Sequence, residues 1–134
     1  MRVALPTALR AQILDQARTA HPSECCGLLV GRRDGDLARI IALHPARNLS
    51  DHSDRFDIDP RDHIAAQKAA RESGNFVIGC YHSHPNGRAH PSATDLARAG
   101  EDNFLWLIAA DEALKAFVYL DGVFTGADWV TSDS

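Results

Sequence analysis

The spacing of apolar residues predicts an amphipathic helix near the start of the chain. Across Thr7–Ala20, the residues Leu9, Ile13 and Ala17 recur every four positions, so they share one helical face. Pro22 disfavours helical geometry in the residue before it. We therefore expect the helix to end before this proline.

Local capping signals predict two further helices. The first should run from Pro60 to about Ser73, with Asp59 as N-cap, proline at the first helical position and Gly74 as the C-terminal stop. A third helix should begin at Ser92 and extend to about Gly100.

Short apolar runs bounded by turn residues predict the strands. We expect them at Cys25–Val30, Leu37–Leu43, Phe76–Tyr81, Phe104–Ala110, Ala113–Leu120 and Val123–Trp129, with a short one at Phe56–Ile58. Residues 44–54 read as a long loop, and residues 82–91 as another. This alternation predicts an α/β fold in which helices flank one mixed β-sheet.

Composition narrows the class of protein. The chain has 134 residues, 45% of them hydrophobic and 24% charged, as in an ordinary folded domain, so we expect a single domain over residues 1–134. The net charge of −4 disfavours nucleic-acid binding, which needs a basic face. No apolar run approaches the roughly 20 residues of a membrane helix, and no signal peptide is evident. Three cysteines, two of them adjacent, agree with a cytoplasmic protein.

Candidate chemistry lies at the end of the strand Phe76–Tyr81. His82 and His84 follow it two residues apart, and side chains at this spacing in extended chain point to the same side, roughly 6.6 Å apart. Two such imidazoles can converge on one metal ion. Asp95, one turn into the next helix, can supply a third ligand if the intervening loop folds back. Two histidines and one carboxylate leave a position open for water, which is typical of a single catalytic zinc ion.

The chain resembles the JAMM (MPN+) zinc metalloprotease family. The resemblance rests on Glu24 and the apolar run that follows it. It rests equally on His82 and His84, followed at the family's spacing by Ser92 and Asp95. It covers essentially the whole chain. The chain has no room for the insertions of eukaryotic deubiquitinating members, so it looks like the small stand-alone bacterial type.

The resemblance carries specific expectations about the site. It implies that His82, His84 and Asp95 hold zinc, that Glu24 is the general acid and base, and that Ser92 stabilises the oxyanion. It also implies a cytidine-deaminase-like α/β sandwich.

The resemblance also implies a substrate class. Members cleave peptide or isopeptide bonds after the C-terminal Gly-Gly tail of ubiquitin-like proteins, here a sulfur-carrier protein or its cysteine or peptide adduct. We expect such a tail to add as a strand to an open sheet edge. The identity of the carrier, the leaving group and the oligomeric state are not readable from the sequence.

Other interpretations remain open at this stage. Ser92 and Asp95 also fit a helix N-cap, a role compatible with catalysis. Cys80 is more typical of packing than of metal binding, whereas His44 and His90 lie in loops near the site. Two other functions share the pattern: a non-catalytic MPN scaffold that binds partner proteins, and a RadC-like protein, whose loop has the same histidine and aspartate spacing.

Overall fold

The computed structural model describes residues 1–130, which form three helices and seven strands. The helices are α1 (Thr7–Ala20), α2 (Pro60–Glu72) and α3 (Ala93–Arg98). The strands are β1 (Arg2–Ala4), β2 (Cys26–Asp34), β3 (Leu37–Ala46), β4 (Phe76–Ser83), β5 (Phe104–Ala110), β6 (Ala113–Leu120) and β7 (Val123–Trp129).

The strands form one mixed sheet that closes on itself in the order β1-β3-β2-β4-β5-β6-β7. Strand β1 closes it by pairing in parallel with both β3 and β7, and β4 and β5 are also parallel. The three-residue β1 is too short for the apolar pattern to reveal, so closure was not predicted. Strand β1 covers only Leu37–Arg39 of β3 and Asp128–Trp129 of β7, so residues 40–46 of β3 have β2 as their single strand neighbour among the described residues.

Helices cover the sheet on two sides, as the α/β prediction requires. Ile13 of α1 belongs to an apolar cluster with Leu29, Tyr81 and Leu107, whereas Ala66 of α2 belongs to a second cluster. That second cluster contains Cys26, Leu28, Phe56, Cys80 and Trp106. The sheet is thus sandwiched between two helices, and β4 supplies residues to both clusters.

The predicted caps are confirmed. Asp59 accepts a hydrogen bond from the backbone N–H of Arg61, with Pro60 at the first helical position, and Gly74 follows α2 with φ +75°. Gly27 serves a different purpose, since a Cβ there would overlap the Tyr81 ring. Its absence lets β2 pack closely where it pairs with β4.

Several boundaries differ from the prediction. Hydrogen bonding extends β2 and β3 around the tight turn at Gly35, and β4 runs on through His82 and Ser83 rather than ending at Tyr81. Residues 56–58 form no strand and contribute only an isolated bridge between Asn48 and Ile58. No helix within residues 1–130 is long and apolar enough to cross a membrane.

Candidate active site

The site begins at the end of β4. This strand lies between β2 and β5, so its last residues are covered on both sides. His82 is fully buried and His84 nearly so, and their Nε2 atoms approach to 3.0 Å. The predicted convergence of the two imidazoles is therefore present in the structure.

Helix α3 brings a carboxylate to the same point. Asp95 Oδ2 lies 3.2 Å from His82 Nε2 and 3.1 Å from His84 Nε2. A capping box fixes this position: Ser92 Oγ accepts from the Asp95 N–H at 3.0 Å, and Asp95 Oδ2 accepts from the Ser92 N–H at 2.9 Å. The N-cap interpretation thus holds together with the clustering. We refer to His82, His84 and Asp95 as the His–His–Asp cluster.

The three side chains shift each other's pKa values. Burial disfavours ionisation of Asp95, but hydrogen bonds from the two histidines outweigh it and hold the carboxyl pKa well below its usual range. Burial lowers the pKa of His82. Burial acts the same way on His84, but hydrogen bonds to Asp95 and to the Arg88 carbonyl raise its pKa. A metal ion binds these ligands in their deprotonated form. The lowered pKa values of Asp95 and His82 favour that form, whereas the raised pKa of His84 in the metal-free protein opposes it.

The geometry of the His–His–Asp cluster fits a metal ion. Ligand atoms of a tetrahedral zinc ion, with bonds of roughly 2.0–2.1 Å, lie about 3.3 Å apart. The three atoms here are 3.0–3.2 Å apart. His84 Nδ1 lies 2.7 Å from the Arg88 carbonyl oxygen, the bond that directs the other ring nitrogen of a ligand histidine toward its metal.

Glu24 reaches the cluster from the segment just before β2. Cys26 pairs with His82 across the antiparallel β2–β4 ladder, so Glu24 lies beside the end of β4. Glu24, His82 and His84 also form a possible metal group, because one carboxylate oxygen and one nitrogen of each ring lie within 4.8 Å of one another. Glu24 is 3% exposed, and its Oε1 has no hydrogen-bond partner within residues 1–130. Burial raises the pKa of Glu24 to about 7.

A groove of about 330 Å³ opens onto this arrangement. Glu24, His84 and Ser92 all line it, together with Asp54 and Asn86. A second groove of about 600 Å³ lies beside His84, between the end of α1 and the turn that joins β5 to β6. A substrate in the first groove would contact a carboxylate, an imidazole and a hydroxyl at once.

Four residues that contact or adjoin the site residues were not predicted from the sequence. Phe56 stacks on the His82 ring with centroids 4.3 Å apart. Trp106 contacts the same His82 ring edge-on, with centroids 5.7 Å apart. Asn48 Nδ2 donates to the Glu24 carbonyl at 3.0 Å, and Ser83 Oγ accepts from the Cys25 N–H at 2.9 Å. Only Ser83 carried a signal, because it lies between the two histidines.

The remaining candidates fall outside the cluster. Cys80 packs among apolar side chains, and burial raises its thiol pKa well above its ordinary value, so it is a packing residue. His44 belongs to β3 rather than to a loop, which corrects the prediction. His90 is exposed in its loop and contacts the Phe117 ring at 6.2 Å.

Comparison with known proteins gives a consistent result. The sequence model described as prokaryotic homologs of the JAB domain matches residues 6–120. The desampylase of Haloferax volcanii is 32% identical over 96% of this chain and 88% of its own length. The CysO-cysteine peptidase of Mycobacterium tuberculosis is 26% identical over 81% of this chain and 77% of its own length.

Further matches include one more sequence relative and two solved structures. A probable TtuB-protein conjugate cleaving protease of Thermus thermophilus is 32% identical over 84% of this chain and 70% of its own length. A Desulfitobacterium hafniense protein solved in solution has a TM-score of 0.89 and 31% identity, covering 100% of this chain and 94% of that chain. A JAB1/MPN domain protein from Archaeoglobus fulgidus, 22% identical with a TM-score of 0.53 over 98% and 97% of the two chains, shares the fold.

Proposed function

Since the chain belongs to the prokaryotic JAB-domain family, we propose that it is a zinc-dependent peptidase that cleaves after the C-terminal Gly-Gly tail of a ubiquitin-like or sulfur-carrier protein. The observation that carries this proposal is a tight His–His–Asp cluster beside a buried Glu24, at a groove that Glu24 and His84 both line. Glu24 Oε1 has no hydrogen-bond partner in the described residues. We assign this activity to a single catalytic domain over residues 1–134, of which the structure describes residues 1–130.

His82, His84 and Asp95 would hold the zinc ion through Nε2, Nε2 and Oδ2. When bound, zinc supplies a Lewis acid that polarises the scissile carbonyl and lowers the pKa of water to about 7. Three protein ligands are the number found in catalytic zinc sites, because the fourth position must stay available to water or substrate. The closeness of Asp95 to both imidazoles favours it over Glu24 as the third ligand.

Glu24 would act as the general base and then the general acid. Its carboxylate would accept the proton of the attacking water and then return it to the nitrogen of the leaving amine. A carboxylate suits this role when its pKa is close to the working pH, and burial raises the pKa of Glu24 to about 7 in the metal-free protein. The Glu24 side chain lines the groove, so a water molecule there would lie beside its carboxylate.

Ser92 would stabilise the negative charge on the carbonyl oxygen. Its Oγ accepts a hydrogen bond from the Asp95 N–H, and its hydroxyl proton can therefore point into the groove toward a substrate. A preorganised donor of this kind acts where charge develops in the transition state.

The substrate class follows from the family and its named relatives. Desampylase, CysO-cysteine peptidase and TtuB-conjugate protease are names for enzymes acting on conjugates of small carrier proteins. The end of the carrier's tail would lie in the groove beside Glu24 and Ser92. The three free, buried cysteines fit a reducing compartment, and we place the reaction in the cytoplasm.

Mass spectrometry of carrier conjugates tests the proposal. Sulfur-carrier proteins extended beyond Gly-Gly by cysteine, by a short peptide or through a lysine side chain are incubated with the zinc-loaded protein. We expect hydrolysis directly after Gly-Gly, loss of activity with a chelator and recovery with zinc. Stoichiometric zinc without cleavage of any conjugate would indicate a binding scaffold, and salt-dependent DNA binding would indicate a RadC-like function.

A further inference from the structure

The segment between β3 and α2, residues 47–59, is closed into a compact turn by one side chain. Asn48 Oδ1 accepts hydrogen bonds from the N–H groups of Ser50, at 3.0 Å, and Asp57, at 2.8 Å. Leu49 N donates to the Asp57 carbonyl at 2.7 Å. The segment therefore has a defined shape although it contains no regular helix or strand.

The same side chain also reaches the active site. Asn48 Nδ2 donates to the main-chain carbonyl of Glu24 at 3.0 Å. Only one orientation of the amide satisfies all three bonds, because two partners are N–H donors and the third is a carbonyl acceptor. Asn48 thus joins the turn to the backbone that carries Glu24.

Phe56 occupies the position just before Asp57 in this turn. Its ring is buried and stacks on His82 with an interplanar angle of 25°. A ligand histidine ordinarily donates its second ring N–H to a carboxylate or carbonyl, which fixes the ring. His82 Nδ1 is buried and has no such partner in residues 1–130. Beside the contacts that His82 Nε2 makes with His84 and Asp95, the stacked Phe56 and the edge of Trp106 restrain the rest of this imidazole.

We propose that Asn48 and Phe56 are positioning residues that fix His82 and Glu24 relative to each other. Phe56 fixes the plane of the His82 ring in place of the missing hydrogen bond. Asn48 places Phe56 through the turn and holds Glu24 through its carbonyl oxygen. The metal-binding part of this inference stands without the proposed function, whereas the part that concerns turnover rests on it.

Zinc and cobalt affinities test the role of Phe56. We expect Phe56→Leu and Phe56→Ala to bind zinc about 10 to 100 times more weakly in competition with a chromophoric chelator. The absorption spectrum of the Co²⁺-loaded protein should also change, since it reports the arrangement of the ligands. Ile13→Ala is the control, because Ile13 is equally buried but belongs to the other apolar cluster.

All affinities are measured at a temperature where thermal melts show each variant folded. If Phe56→Ala fails to fold, Phe56→Leu, which keeps an apolar side chain, still decides the question. A folded Phe56→Leu protein with the parent zinc affinity and cobalt spectrum would overturn the proposal.

Two substitutions separate the bonds of Asn48. Asn48→Asp keeps an acceptor for the two N–H groups but loses the donor to Glu24, whereas Asn48→Ala loses all three bonds. We expect Asn48→Asp to keep zinc affinity and KM while kcat falls about 10- to 100-fold. Asn48→Ala should lower both kcat and zinc affinity. Asn75→Asp is the control, since the Asn75 side chain is also hydrogen-bonded but lies just before β4, away from the turn 47–59.

The outcomes are distinguishable. An unchanged kcat in Asn48→Asp would contradict the link to Glu24, and unchanged zinc affinity in Asn48→Ala would contradict the link to Phe56. If the parent protein cleaves no Gly-Gly conjugate, the proposed function fails, but the zinc and cobalt measurements still decide whether Phe56 positions His82.

Discussion

The two sides of the site differ in how their polar atoms are satisfied. On one side, the two Nε2 atoms and Asp95 Oδ2 of the His–His–Asp cluster lie 3.0–3.2 Å from one another, and the Ser92 N–H also donates to Asp95. Within this cluster, His82 Nδ1 is the buried atom without a partner in the described residues. On the other side, Glu24 Oε1 is buried without a partner in the described residues. This difference fits the roles proposed above, in which the cluster holds a cation and Glu24 exchanges a proton.

The same contrast appears in the two carboxyl groups. Burial alone would raise the pKa of both Glu24 and Asp95. At Asp95 the histidine hydrogen bonds reverse that effect and keep the group ionised, whereas at Glu24 burial prevails. Two carboxylates in one site thus acquire opposite properties from their neighbours, which is how acid and base roles are separated in enzymes.

Breaking the His–His–Asp cluster should have the largest effect. Asp95→Ala and His82→Ala each remove one of three proposed ligands, so zinc content after dialysis should fall to near zero and turnover to background. Elemental analysis and conjugate cleavage measure the two outcomes. Asp59→Ala is the control, because Asp59 is also a carboxylate at a helix N-terminus but contacts Arg61 instead of histidines. Full zinc occupancy in Asp95→Ala would contradict the assignment.

Removing the Ser92 hydroxyl should have an intermediate effect. Ser92→Ala loses the proposed oxyanion donor, a change that typically lowers kcat about 10²- to 10³-fold. Ser92→Thr keeps both the hydroxyl and the N-cap acceptor and should retain most of the activity. Steady-state kinetics on both variants checks this, and equal losses in the two would indicate that the hydroxyl does not act on the substrate.

The pH dependence of stability should show the smallest effect. Because burial raises the pKa of Glu24 from 4.5 to about 7, the metal-free folded state resists ionisation that the unfolded chain allows. The stabilisation is present below pH 4.5 and is lost as the pH rises toward 7. Metal-free Glu24→Gln should therefore exceed the parent in free energy of unfolding at pH 8, by on the order of 2 kcal/mol, and match it near pH 4.

Denaturant unfolding at the two pH values measures this difference. Glu72→Gln, on the exposed end of α2, controls for the loss of one negative charge. A Glu24→Gln advantage that is the same at both pH values would show that burial does not set the ionisation of Glu24.

The same contrast explains what could be predicted from the sequence. The His–His–Asp cluster lies within residues 82–95, so its spacing alone predicted the metal site, and Asp95 needed only a loop that folds back. Glu24 was identified by family resemblance, because the β2–β4 pairing that brings it to His82 cannot be read from spacing. Phe56 and Asn48 depend on the irregular turn 47–59, where no periodicity exists. Sheet closure by Arg2–Ala4 was missed since three residues show no pattern.

One measurement tests the central claim most directly: the zinc content and the turnover of Glu24→Gln, determined on the same preparation. The substitution keeps the size of the side chain and removes its basicity. We expect one zinc ion per chain, a thermal melt of the loaded protein close to that of the parent, and a turnover reduced about 10²- to 10⁴-fold. Loss of zinc would show that Glu24 is a ligand, and full zinc with near-normal turnover would show that another group is the base.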